Sequence, residues 1–426
     1  MIAPSSYGAL SATSANTIQG HKPGFAGQSG AKKLGFKVGG ISYSEANPVL
    51  GGANTDKDKI VPGTPREFEK TLKLNEFSVQ GLTASDFTVA NDYYDADGDG
   101  AATPAFTVGG VSYKWFDRNG TEITDENKMV GCSGLSLPLT LKINLAAQSH
   151  SKYGAPRDSD PAGLEQRYQI TAPSDICFAK PNQMIVKPEH TWVDVRNGTY
   201  EWNNGNWSYD FNNGGGYDPI QFDPINGFKA SANPKFPTTG FPKAKFRLIM
   251  TGNSMDWTFI SNNSAVTVDT NGDVTLNSKP SGAVTIKAIF KNDTSQVHNY
   301  TFNPTILWVE PKSSYGNYAK AINLCGGVSN LLTKRDGLTN SPRRTAPQSW
   351  DAPQYHKNAC KRAIGTLFCE WGETDNDTYP GSQWLGFWFW VSDKNQTYER
   401  FVINVYGDVA FSTETVDLHH AVVCRG

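Results

Sequence analysis

The chain has 426 residues, room for about two to four domains, with 41 Gly, 24 Pro and 12% aromatic residues against only 19% charged ones. Its formal net charge of -2 excludes the basic footprint of a nucleic-acid-binding protein. No apolar run approaches the ~18 residues that span a membrane, so the composition reads as a turn-rich, mainly β protein.

Residues 1–60 are rich in Gly, Ser, Ala and Asn, with short strand-like pieces at Leu34–Val38 and Ile41–Tyr43. They read as a lead-in or an edge of the first domain. Met1–Ser5 has neither a basic nor an apolar region, so no signal peptide is expected there. From 61 to 183 the apolar and polar residues alternate. Leu72–Leu74, Phe87–Val89, Val111–Phe116 and Leu139–Leu145 are the expected strands, and Asn119-Gly120 is a hairpin signal. Short strands at this spacing predict a sandwich. Residues 184–310 form a second unit. Within the stretch Asp256–Leu276 two alternating strands flank the turn Asn271-Gly272, and Ala283–Ala288 supplies another, while the strip from Asn203 to Gly216 reads as a loop. Residues 311–426 open on Tyr318, Ile322 and Cys325 at helical spacing. A second helix is expected at Lys357–Ala363, then strands over Gly386–Val391, Arg400–Val405 and Ala421–Cys424.

Six cysteines are present, none in the close CxxC pairs that zinc sites use. The simplest of the fifteen connectivities keeps bonds within domains: Cys132–Cys177, Cys325–Cys424 and Cys360–Cys369. Closing a loop of roughly 100 residues stabilises by about 4–5 kcal/mol in the chain-entropy model. Such staples suit an extracellular module.

The motif search for catalysis finds no GxSxG elbow, HExxH, Walker loop or well-placed GxGxxG, and no enzyme is expected. Asp95, Asp97 and Asp99 alternate before Gly100, a spacing that aims hard oxygens at one Ca²⁺. The twelfth position of the corresponding EF-hand loop is Phe106 rather than Glu, so that motif fails. A simpler Ca²⁺ loop and a solvated Asp/Gly turn both remain, and no other cofactor is expected. The polar loop 373–383 is the candidate contact surface, because binding residues concentrate on exposed loops. Its candidates are Asp375, Asn376 and Asp377, with Tyr379 and Trp384 as aromatic anchors or, for Trp384, as core. The basic stretch Lys334–Arg344 could meet an acidic partner or be a solvated loop.

The rhythm from Trp257 through Asp269, Gly272 and Ile286 to Ala288 resembles a bacterial Ig-like domain of group 2. Helix, helix and strands closed by a terminal Cys resemble a C-type-lectin-like domain. Together, the tandem Ig-like β-sandwich domains and the following α+β C-type-lectin-like domain resemble the exported part of the intimin/invasin family of inverse autotransporter adhesins. The resemblance implies a bacterial cell-surface, outer-membrane-anchored adhesin. Its N-terminal barrel and signal would lie outside this sequence, and a rigid stalk would project a lectin-like tip onto a host-cell receptor. Calcium-dependent lectins carry Glu-Pro-Asn or Gln-Pro-Asp and Trp-Asn-Asp triplets, and none occurs in 311–426, so a protein receptor is expected over a glycan. Self-association for aggregation and biofilm, and glycan binding, are the alternatives.

Overall fold

The computed structural model describes residues 20–46, 63–186, 199–203, 206–210, 215–345, 360–386, 388–396, 399–414 and 420–426. These residues are mainly β with few, short helices. The chain divides into two units: 1–130 with 136–172, and 131–135 with 173–426.

In the first unit, β1 (Gly35–Val38) pairs antiparallel with β2 (Ile41–Ser44) and with Ser78–Gln80. Residues 20–46 therefore supply part of this unit's framework. A second sheet is built on β5 (Leu139–Ser151), which pairs along one edge with β6 (Ala162–Thr171). Along its other edge it pairs with β4 (Ser112–Phe116) and then β3 (Ala101–Val108). Strict alternation along β5 turns Leu139, Leu141, Ile143 and Leu145 into the core and their neighbours outward. The two sheets meet through rings: Phe36 of β1 lies 5.5 Å from Tyr168 of β6, and Phe77 lies 5.1 Å from Trp115 of β4. The buried Tyr168 hydroxyl donates to Leu34 O at 2.6 Å, which satisfies its polar tip. Two expected strands are absent. Leu74–Glu76 is a 3₁₀ turn closed by Glu76 accepting from Lys73 N, and Val89–Asp92 is a helical turn. In both, local side-chain capping outcompetes a ladder.

The second unit takes up the chain again at Pro173, and its next strand is β7 (Ile176–Pro181), inside the span 61–183 expected as the first domain. It pairs antiparallel with β8 (Ala244–Met250), which pairs with β9 (Asp273–Leu276). Facing them is a sheet of Trp257–Ser261, Val284–Phe290 and Val297–Phe302. Phe246 of β8 bridges the layers, 5.4 Å from Phe302. The Asn271-Gly272 turn needs its glycine: φ is +81°, and a Cβ there would meet Leu248 O at 2.9 Å. The strip expected as a loop instead holds a hairpin of Thr199–Asn203 against Asn206–Asp210.

The last sheet has β10 (Leu307–Tyr315) antiparallel to the terminal β13 (His420–Arg425). β11 (Trp388–Gln396) lies parallel to β13 and antiparallel to β12 (Glu399–Asn404). Helix α1 (Tyr318–Leu324) is capped by Asn317, whose side chain accepts from Lys320 N. The second helix, α2, is Leu367–Trp371. The expected helix at 357–363 is not confirmed: 360–363 is not helical, and 357–359 lies outside the described residues. Disulfides join Cys132–Cys177, Cys325–Cys424 and Cys360–Cys369. Cys132 and Cys177 both fall in the second unit.

This unit has one continuous core. It runs from Ile176, Phe236 and Phe246 through Trp308 to Leu367, Trp371, Trp384 and Val423. The edge pair Thr239–Gly240 joins the last sheet in parallel beside Leu307 and Trp308. Beneath it lies Glu370 of α2, fully buried. Its carboxylate accepts from Thr238 N and Oγ1, Thr239 N and Oγ1, and Gly365 N, at 2.5 to 3.1 Å. Burial pushes the Glu370 carboxyl above its ordinary value, and these donors oppose that shift. Glu370→Gln places an amide N–H against donors that need an acceptor. The expected loss is about 2–4 kcal/mol, and Thr239→Val should cost about 1–2 kcal/mol. Chemical denaturation of the whole chain measures both. Wild-type midpoints for both variants would contradict this account.

Candidate functional site

The loop between α2 and β11 is organised by its own polar side chains. Asp375 Oδ1 accepts from Thr378 N at 2.6 Å, and Asp375 O accepts from Tyr379 N at 3.0 Å. Asn376 Oδ1 accepts from Gly381 N at 3.0 Å. These bonds close a tight turn that leaves Asn376, Asp377, Pro380 and Gln383 exposed and Asp375 half-buried. Thr378 O also accepts from Asn182 Nδ2 at 2.9 Å, so the loop is tethered to the chain just beyond β7.

Tyr379 and Trp384 cannot serve as contact anchors. Tyr379 is fully buried, its hydroxyl donates to Trp371 O at 2.7 Å, and its ring stands edge-on to Phe241 at 5.2 Å. Burial pushes its phenol well above the ordinary range. Trp384 packs against Phe241, Phe368 and Phe389 at 5.3, 5.9 and 5.0 Å. The polar sequence around them signals a loop, but their rings belong to the core beneath it. What sequence reading missed is an apolar surface on the same domain. Leu324, at the end of α1, and Val328, in the following turn, are 40% and 51% exposed. Val328 lies outside any periodic segment, so no pattern flags it. The basic stretch is also less available than it reads. Lys334 is buried, with its ammonium 3.5 Å from the Phe401 ring centre, and Asp336 pairs with Arg425 at 2.6 Å.

Residues 220–302 match the family model for invasin domain 4. The chain is 26% identical over 197 residues to invasin of Yersinia enterocolitica, which covers 45% of this chain and 21% of that protein. The chain thus spans about a fifth of the curated relative it matches. Among solved structures, it is similar to invasin, described as a bacterial integrin-binding protein (17% identity, 75% of this chain, 58% of that one, TM-score 0.36). It is also similar to a C-terminal 282-residue intimin fragment solved with the intimin-binding domain of the translocated intimin receptor (17% identity, 75% and 86%, TM-score 0.34).

In the first unit, Asp95, Asp97 and Asp99 come together, with one ligand atom from each within 4.8 Å of the others. Asp92 does not join them: it is buried and accepts from Thr88 N. Tyr93 Oη lies 3.0 Å from Asp95 Oδ2 and 2.7 Å from Asp99 O, and burial followed by these acidic neighbours pushes its phenol up to about 12. Partial burial and the charges of Asp97 and Asp95 push the Asp99 carboxyl up, while the bond with Asp95 and the His21 N–H hold Asp97 down. The chemistry suits a hard cation with oxygen ligands. If the loop holds Ca²⁺, calorimetric titration of the whole chain gives a saturable heat that Asp97→Asn removes. A solvated turn gives no heat in either protein.

Proposed function

We propose, from the match of residues 220–302 to invasin domain 4 and the similarity to Yersinia enterocolitica invasin, that this chain is a member of the intimin/invasin family and an extracellular region of a bacterial surface adhesin. The family consists of binding proteins, not enzymes. In this reading the domain at 311–426 recognises a host-cell surface receptor by non-covalent protein–protein contact. The Ig-like domains before it act as a rigid mount, and outer-membrane anchoring comes from a barrel beyond this sequence.

The observation that carries the reading is the way the last domain is fixed. Its core is continuous with that of the preceding sandwich, and Glu370 locks α2 to Thr238 and Thr239. Cys325–Cys424 ties its first helix to its last strand. A surface held this firmly loses little conformational entropy on binding. The domain carries two separate candidate contacts: the polar pair Asn376 and Asp377 on the loop after α2, and the aliphatic Leu324 and Val328 at the end of α1, which packs on the opposite face of the last sheet. An exposed aliphatic pair on a fixed scaffold suits the apolar centre of a protein interface.

The test uses the whole chain, because cutting at 311 would expose the shared core. Saturable binding to cultured host cells is expected, weakened about tenfold or more by Leu324→Glu with Val328→Glu. Asn376→Ala with Asp377→Ala is expected to weaken binding less. Both variants should keep the wild-type unfolding midpoint. Binding only to bacteria that display the same adhesin would move the function to self-association, and inhibition by free sugars would move it to glycan recognition.

A further inference from the structure

A short internal repeat in the second unit presents two exposed isoleucines. Asp218-Pro219-Ile220 is followed five residues on by Asp223-Pro224-Ile225. Each repeat makes the same turn: Asp218 Oδ1 accepts from Ile220 N at 2.9 Å, and Asp223 Oδ1 accepts from Ile225 N at 2.9 Å. The second turn is held further by Asn226, whose N and Nδ2 donate to Asp223 Oδ1 at 2.8 and 2.9 Å. A lysine braces each tip from outside the turn: Lys229 Nζ donates to Pro219 O at 2.7 Å, and Lys180 Nζ donates to Ile225 O at 2.8 Å. Ile220 is 79% exposed and Ile225 58% exposed. Large aliphatic side chains on clamped turns are costly to leave in water, and the clamping removes the flexibility that would let them fold back.

Beside Ile225 lies a surface pocket of about 280 Å³, lined by Lys180, Asn226, Arg247, Asn253 and Ser133 among others. Lys180 of β7 and Arg247 of β8 are direct cross-strand partners, and like charges in that relation repel. Arg247 is satisfied by Asp273, with Nε–Oδ1 at 2.6 Å and Nη2–Oδ2 at 2.9 Å. The Lys180 ammonium is not matched in this way. Its hydrogen bond goes to a carbonyl, and among the described residues it has no ion pair with a carboxylate. Burial and then the Arg247 charge hold its pKa below the ordinary lysine value, while the Asp223 charge opposes that shift. Asp223 is engaged by its own turn, through Ile225 N, Asn226 N and Asn226 Nδ2, so Lys180 lines the pocket half-buried and without a carboxylate in ion-pair contact among the described residues.

We propose that this pocket is a docking site for an acidic side chain of a partner protein, with Lys180 binding the carboxylate and Ile225 and Ile220 packing against adjacent aliphatic residues. The ligand is thus a segment in which Asp or Glu alternates with Leu, Ile or Val. Charge complementarity selects the acid, and the two isoleucines select aliphatic flanks over a free anion. The surface is built from residues 132–134 and 180–254 and uses none of 311–426, so it stands or falls independently of the receptor-binding reading.

The test is fluorescence polarisation with the whole chain and a labelled peptide of alternating Glu and Leu, beside the same peptide with Gln for every Glu. Saturable binding of the acidic peptide is expected, at least about tenfold weaker for the Gln peptide. It should weaken by about tenfold in Lys180→Gln and in Ile225→Ser, and fall with added salt. Lys180→Gln removes a repulsion and Ile225 is exposed, so both variants should unfold at the wild-type midpoint. Leu324→Glu with Val328→Glu should leave peptide binding unchanged. Absence of saturable binding, equal affinity for the Gln peptide, or wild-type affinity in Lys180→Gln would each overturn the proposal. Equal inhibition by acetate at matched carboxylate concentration would reduce the site to a generic anion pocket and overturn the aliphatic part.

Discussion

A carboxylate with no access to water governs the arrangement of residues 173–426. Removing a charge from water costs several kcal/mol even after relaxation, so Glu370 is tolerable only where donors converge on it. Five do, four of them from the adjacent residues Thr238 and Thr239. Thr239 also begins the short edge that extends the last sheet beside Leu307, with Thr238 directly before it. Shifting that edge by one residue would strand the charge, so the carboxylate sets the register between sandwich and last domain as well as their proximity. Arg362 is the second buried charge nearby. Burial lowers its pKa to about 10, with Tyr379 and Glu370 opposing that shift. Its guanidinium stacks 4.8 Å over the Phe222 ring and donates to Gln183 O at 2.9 Å. Both contacts reach back from the last domain into the sandwich.

Around these polar locks the packing is aromatic. Phe236 and Phe241, from the segment before β8, meet Trp371 at 4.9 and 5.4 Å, and Phe241 also meets Tyr379 and Trp384. The three contacts of Phe241 are edge-to-face and that of Phe236 is tilted; edge-to-face pairs add about 0.5–1.5 kcal/mol each beyond the area they bury, and they are directional. An aliphatic interface would permit sliding, whereas a ring cluster with Glu370 at its side admits one seat. The disulfides act on a different scale. Cys360–Cys369 closes the short segment that positions α2, and Cys325–Cys424 closes the span of the last domain. They hold the part that carries Glu370 in shape, while Glu370 and the rings hold that part to its mount.

Local pattern accounts for what the sequence made legible. The alternation along Leu139–Leu145 runs on in β5 to Ser151, the Asn271-Gly272 turn joins the two strands expected around it, and the Asn119-Gly120 turn folds the expected strand at Val111–Phe116 onto a short partner, Glu122–Ile123. The three disulfide pairs are those expected from keeping bonds within the domains read from the sequence. What was illegible depends on contacts between distant residues. Tyr379 and Trp384 sit in a polar stretch, and Phe241, more than a hundred residues earlier, closes the ring cluster with Phe368, Trp371 and Phe389 that makes them core. Phe87–Val89 has strand-forming side chains, yet Asp92 captures the Thr88 N–H and turns the chain. The chain enters the second unit before Ile176 because β7 finds its partner in β8, and no composition change marks that switch. Glu370 looked like one more polar residue in an aromatic run. Nothing in its neighbourhood announces Thr238 and Thr239.

Rigidity of the joined body bears on recognition in a way that separate beads on a string would not. When two contact surfaces sit on independently hinged domains, engaging one does little to place the other, and the second contact carries the entropy of the hinge. When both sit on one core, the first contact sets the position of the second, so the effective concentration at the second surface depends only on whether the partner's geometry fits. The loop around Asn376 and the turn at Ile225 belong to such a body, because one hydrophobic cluster holds both Phe222 beside that turn and Tyr379 beneath that loop. A partner too small to span them would gain nothing from the second surface. A partner large enough would gain specificity, because a mismatch at either surface could not be relieved by bending the joint.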